Sequence, residues 1–354
     1  MIETVKPSRK KPFFPVNNEL RAYLKRHGRE MTLPICYSDL SRISYSTPLY
    51  DKQGRDTHWE VAHYDLQGWD ELQEALVSVY AQLKMEGDFS HSKHLAVARI
   101  DYCPFGNSNP FRVRIVNKYN DNYDHIYVKK EDASRFYGLE LEHLLSPNRM
   151  RYLTAPGILV EEHIPGVPGD IFIQRYLKGT ETNKIRLAKE IVKFSERCYA
   201  RLLGDMRSYN FVVDITPDVE DFHYRVRAID FDQQCYEGRA NLYRPQFFKE
   251  NFPFVELVLK YLNRESIEQY RLEEQKHLAF RISSSRVRVK ELLNIMAKDE
   301  ISTPEKLEEL KEQLNATYST TAFSQCTTMG EVVKAHLTQS LRKDVDEILE
   351  GNGQ

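Results

Sequence analysis

Between Arg201 and Asp232 a few polar residues are set against two short β-branched runs. The stretch reads Arg201-Leu-Leu-Gly-Asp-Met-Arg-Ser-Tyr-Asn-Phe-Val-Val-Asp214, then a polar insert, then Tyr224-Arg-Val-Arg-Ala-Ile-Asp-Phe-Asp232. Phe211–Val213 and Val226–Ile229 predict two paired strands with a turn at Pro217-Asp218. Such a hairpin holds Asp205, Asn210 and the pair Asp230 and Asp232 at the mouth of one cleft. A fold that accepts this arrangement needs a helix to deliver the chain to Asp205. Lys184–Leu203 supplies one, with Ile191, Val192, Cys198, Tyr199 and Leu202 on one face.

Upstream, the pattern is mostly of strands. Leu95–Tyr102 and Phe111–Asn117 flank Cys103–Pro110, a turn rich in loop-forming residues, and Ile126–Lys130 is a third strand ending in two lysines. Ala133–Leu145 reads as a helix carrying Glu140 and Glu142, and Ile158–Val160 as another strand leading into a Gly/Pro-rich connector at Gly166–Gly169. Before these, residues 1–20 read as a loosely held arm, Leu33–Tyr64 as short β-like runs (Ile35–Tyr37, Ile43–Tyr45, Trp59–Tyr64), and Asp70–Met85 as a helix stopped by Gly87. Beyond Asp232 the chain turns helical: Phe254–Leu262, Arg264–Phe280, Val287–Lys298, Pro304–Asn315 and Met329–Leu349. Ser302-Thr-Pro-Glu305 and Thr328-Met-Gly-Glu331 each fit a capping box.

The 354 residues carry a net charge of −2, so no global field recruits nucleic acid or a membrane. Arg286-Val-Arg-Val-Lys290 is a basic run that reads as a solvated helix face. Five cysteines without a Cys-x-x-Cys pair argue against a disulfide framework or zinc ribbon and fit a reducing compartment. The 11 histidines show no ligand spacing. No apolar run approaches the ~20 residues of a spanning helix. The basic start of the chain runs into Phe13-Phe-Pro15 without the apolar stretch of a signal peptide, and a cytoplasmic location is expected.

An Asp, an Asn and a second carboxylate in this order suit phosphoryl transfer from a magnesium nucleotide. One carboxylate meets the acceptor hydroxyl while the other two side chains hold metal against the phosphates. Over roughly Leu95–Leu262 the chain resembles the protein-kinase-like fold, and within it the aminoglycoside and choline phosphotransferase branch. Three segments carry the resemblance. Leu159-Val-Glu-Glu-His-Ile-Pro-Gly166 looks like the hinge, Leu203–Asp214 like the catalytic loop, and Ala228-Ile-Asp-Phe-Asp232 like the metal-binding segment. The resemblance makes Asp205 the catalytic base and Asn210 and Asp230 the metal ligands, with Asp232 the second acid of that segment. It makes Lys129, or its neighbour Lys130, the lysine on the nucleotide phosphates, and Glu140, or Glu142, its helical ion-pair partner. The adenine is expected against the hinge near Glu162 and Ile164. Three departures stand out: Leu203 where the family usually has a loop-propping His, a single Gly in the phosphate-covering turn, and Tyr127 where a small residue normally lines the adenine pocket.

The fold expected is α+β: a two-lobed protein-kinase-like fold with an N-terminal αβ extension and a helical C-terminal addition. Its parts are an extension over 1–94, a nucleotide-binding lobe over 95–166 and a helical lobe over 167–354. The function expected is ATP- and Mg2+-dependent phosphorylation of a hydroxyl. A small molecule is favoured as acceptor over a protein, because no Ala-Pro-Glu segment follows Asp232. The rival is a pseudokinase that serves as an interaction platform. Neither nucleic acid nor membrane is expected as a partner.

Overall fold

Phe111, Val113 and Ile115 alternate with Arg112, Arg114 and Val116, and a period of two puts each set on its own face of a strand. The computed structural model, which describes residues 11–84, 92–219 and 221–341, builds this strand into a mixed α+β architecture. The chain divides into two units. The first holds residues up to Asp132 together with Met150–His163, and the second holds Ala133–Arg149 and everything from Ile164.

The first unit opens with α1 (Asn18–Arg26) and the single turn α2 (Tyr37–Leu40), then β1 (Tyr45–Tyr50), β2 (Asp56–His63) and α3 (Leu66–Lys84). Three strands follow: β3 (Leu95–Tyr102), β4 (Phe111–Asn117) and β5 (Tyr123–Lys129). The chain then leaves to form α4 (Ala133–Leu145) in the second unit, and returns for β6 (Tyr152–Ala155) and β7 (Ile158–Glu162). The seven strands make one antiparallel sheet in the order β1-β2-β3-β4-β5-β7-β6. Leu72, Leu76, Val79 and Leu83 of α3 cluster with Val97, Ile100, Phe111, Val113, Ile126, Val128 and Val160 in the apolar core. Each such side chain contributes about 1.5–3 kcal/mol by leaving water.

Several expectations change here. The arm is anchored from Lys11 onward, because Lys11 Nζ meets the buried Asp132 at 2.9 Å. Asn17 then caps α1, whose Leu20, Tyr23 and Leu24 are buried. The run at Ile35–Tyr37 gives way to α2, since the Asp39 carboxylate accepts the Cys36 N–H at 2.8 Å and closes a helical turn. β1 and β2 join the same sheet as β3–β7, so the extension over 1–94 shares its sheet with the strands that follow. Gly87 lies outside the described residues.

The second unit continues from α4 with the two-residue strand β8 (Val167–Pro168), α5 (Gly169–Arg175) and α6 (Lys184–Arg201). β9 (Phe211–Pro217) and β10 (Phe222–Ala228) pair antiparallel, as the hairpin pattern requires, and β8 adds to β9. Among the described residues five α-helices follow: α7 (Phe252–Tyr261), α8 (Arg264–Ser284), α9 (Arg286–Met296), α10 (Pro304–Tyr318) and α11 (Met329–Leu341). Phe172, Phe194, Phe211 and Phe254 pack ring against ring at the heart of this unit, with Phe194–Phe211 centroids 5.1 Å apart. The cap of α10 falls one residue later than the capping-box reading. Thr303 accepts the Lys306 N–H, and Ser302 donates instead to the Tyr236 carbonyl at 2.6 Å. Thr328 caps α11, while the Glu331 carboxylate reaches the Thr327 N–H. The part of that helix expected over residues 342–349 lies outside the described residues. Among the described residues no helix is long and apolar enough to cross a membrane, and all five cysteines are free thiols.

Candidate active site

Helix α6 ends because Leu202 turns left-handed, at φ 52°, after which Leu203 is fully buried and its backbone bridges to Gln234. The Gln234 amide donates to the Arg201 carbonyl at 2.5 Å, so a glutamine side chain ties this bend to the segment after β10. Gly204 N–H and Asp205 N–H donate to the carbonyls of Gln233 and Leu242, which fixes the loop from both sides. Asp205 sits at φ 55°, a left-handed conformation that costs a residue with a Cβ and must be held by its surroundings. Here Asn210 holds it, its Nδ2 donating to the Asp205 carbonyl at 2.7 Å and lying 3.3 Å from Oδ2.

The Asp205 side chain keeps 21% of its surface exposed, and burial pushes its carboxyl from 3.8 up to about 6. Arg207 acts against this rise through its hydrogen bond and charge, and the negative charges of Asp230 and Glu237 add to it. Arg207 Nε donates to Asp205 Oδ1 at 2.9 Å, and Nη1 of the same guanidinium donates to Glu250 at 2.6 Å. Asp205 is therefore a carboxylate of fixed direction whose proton affinity is raised toward neutrality.

Ile229 N–H donates to the Asn210 carbonyl at 3.0 Å, which brings the start of the Asp230 segment beside the Asp205 loop. The Asp230 side chain keeps 32% of its surface exposed, and its Oδ1 accepts from Arg135 at 2.9 Å. Arg135, on α4, is 1% exposed and also donates through Nε to Asp232 at 2.8 Å. Helix α4 comes this close because of Gly138, where a Cβ would stand 3.0 Å from that of Phe231.

The donor chemistry fits a single hard cation. The Asn210 amide nitrogen is turned to Asp205, which directs its oxygen the opposite way, and Asp230 is partly open. Asp232, 7% exposed, is committed to Arg135. Among the described residues no group of three or more His, Cys, Asp or Glu is placed to hold a metal. Magnesium at this point would complete its shell from phosphate and water, as it commonly does.

In the first unit, Lys129 is buried and donates to Glu161 at 2.5 Å. The register sets Lys129 opposite Leu159 and Tyr127 opposite Glu161, which places the pair diagonally on the sheet face away from α3. Lys130 is exposed, its ammonium 5.3 Å from the Tyr37 ring centre. The same face carries Asp101, bonded to Arg99 and Arg112, and Tyr127 beside Trp59 and His163. Glu162, expected at the hinge, meets Lys84 at 3.3 Å and accepts the Arg151 N–H at 2.8 Å.

The helical ion pair expected of Glu140 is made inside the second unit, to Arg288 at 2.6 Å, and Glu142 pairs with the buried Arg201. Ile164 begins the second unit as a buried side chain. The second unit thus brings Asp205, Asn210, Asp230 and Asp232 together, and the first holds Lys129 and Glu162. Sequence reasoning missed Arg135, Arg207 and Glu161. Only Glu161 carried a signal, as the first acid of the Glu161-Glu162 pair. Compared with known proteins, the chain matches no protein-family model and has no match among curated proteins.

Proposed function

We propose that this protein is an ATP- and magnesium-dependent phosphotransferase of protein-kinase-like, two-lobed fold, acting on the hydroxyl of a small molecule in the cytoplasm. The observation that carries this reading is the lock of Asn210 on Asp205 together with the Ile229–Asn210 backbone bond, which gathers a base and two hard oxygen donors at one hairpin. The strand order β3-β4-β5-β7-β6, with α4 inserted between β5 and β6, supports it, as does the buried lysine at the end of β5. Free thiols throughout agree with a reducing compartment.

In this reading Asp205 orients the acceptor hydroxyl and takes its proton late, because a loose transition state asks more of positioning than of basicity. Arg207 holds the Asp205 carboxylate in direction. Asn210 and Asp230 would hold magnesium, whose part is to neutralise charge on the phosphates. Lys129, aimed by Glu161, would bind those phosphates. Arg135 cancels the charge of Asp232 and steers Asp230. Gln234 and the packing of Leu203 replace the loop prop that a histidine gives in the family.

The test is a thermal shift with magnesium and ATP on the intact protein, together with turnover by Asp205→Asn. Stabilisation by the nucleotide and loss of turnover in the variant support the reading. No shift and an unchanged variant would end it. A second reading, a non-catalytic interaction platform, is favoured by Tyr127, whose ring stands 6.0 Å from His163 and 6.3 Å from Trp59 on the sheet face where a base would lie. Nucleotide binding without turnover is its signature.

A further inference from the structure

The elbow between α8 and α9 breaks a local rule. Arg286 and Arg288 occupy the first turn of α9, where the helix dipole disfavours cations, and that turn contains no acidic residue. Ser285 precedes it without a side-chain capping bond. The elbow and the end of α4 enclose an open cavity of about 760 Å³, and no Asp or Glu lines it. Arg149, Arg281, Arg286 and Arg288 do, with Ser283 and Ser284. Arg288 is engaged by Glu140. Among the described residues, the Arg149, Arg281 and Arg286 side chains make no salt bridge or hydrogen bond. Other arginines of this unit, among them Arg135, Arg197 and Arg201, are paired with carboxylates.

We infer that this cavity is a binding site for a small ligand carrying two or more phosphate groups. Guanidinium forks match phosphate oxygens two at a time, the Ser283 hydroxyl adds a donor, and bound negative charge offsets the cost of cations at a helix start. The concavity is in the size range of small-molecule pockets. Three unpaired arginines match a few phosphates, not the long basic stripe that a nucleic-acid backbone demands. The basic run Arg286–Lys290 is then more than a solvated helix face.

Pyrophosphate is the probe, measured by calorimetry on the full chain. Wild-type protein should bind it, and Arg281→Ala and Arg286→Glu should each weaken binding at least tenfold. Arg286→Glu should also raise the melting temperature of the ligand-free protein, because a carboxylate suits the first turn. That readout confirms folding and has the opposite sign to simple damage. Absence of pyrophosphate binding, or binding kept in the arginine variants, overturns the inference. So does arginine-dependent binding to vesicles with phosphoinositide headgroups in the absence of any binding of free pyrophosphate.

Discussion

Asp205 carries two consequences that a single titration separates. Its carboxyl rises from 3.8 to about 6 on folding, so the folded chain holds that proton more tightly than the unfolded one. The stability it contributes is present below pH of about 4 and is lost as pH climbs through about 6. Asp205→Asn should remove this slope from unfolding measured against pH. If Asp205 is the base, kcat/KM should also rise through pH of about 6, and Asp205→Asn should lower kcat about 10²–10⁴-fold with nucleotide affinity kept. A flat rate profile across pH 5–7 would exclude that role. Arg135 makes the complementary case. Replacing it by Leu removes a buried cation bonded to Asp232, and breaking a buried pair in this way costs about 3–5 kcal/mol, to be read from urea unfolding. An unchanged midpoint would show that Asp230 and Asp232 do not depend on this guanidinium.

Elements show why some of this architecture was legible and some was not. Helix α6 and the β9–β10 hairpin carry their period in their own residues, and the sequence reading places them within a few residues of their observed ends. Helix α4 is equally plain, but its attachment is not. The bonds that dock it join Arg135 to residues 95 and 97 positions later, and Glu140 to one 148 positions later. Side-chain pairing at that range leaves no local pattern. β6 has only four residues, and α2 forms around one carboxylate, so neither has the length for a period to emerge. Of the candidate site, Asp205, Asn210 and Asp230 were readable because they sit at fixed offsets from strands. Glu161 could be separated from Glu162 only by the register of β7 on β5. That register makes its own prediction. If Lys129 binds nucleotide phosphates as proposed, Glu161→Gln should weaken ATP and ADP binding about tenfold or more and leave adenosine affinity unchanged, because Lys129 would then act on the phosphates alone. An equal loss for adenosine would show a purely structural pair.

On the scale of the whole molecule, the buried His336 adds a slope to stability on the acid side. His336 in α11 donates from Nε2 to the Tyr199 carbonyl, and burial lowers its pKa from 6.5 to about 4. Its stabilising contribution is complete above about pH 6.5 and is lost as pH falls through about 4, the reverse of the Asp205 slope. His336→Phe should flatten the melting temperature between those pH values, and an unaltered slope would assign the acid sensitivity elsewhere. The course of the chain has a further consequence. It passes between the two units after Asp132, after Arg149 and after His163. Neither unit is therefore a continuous segment. β7, which lies between β5 and β6 in the sheet, is made only after α4 has been synthesised, and α4 then waits for the partners supplied by Asp230, Asp232 and α9. During synthesis the sheet is completed around a gap in its own sequence, and a nick at any one crossing leaves two other covalent ties in place.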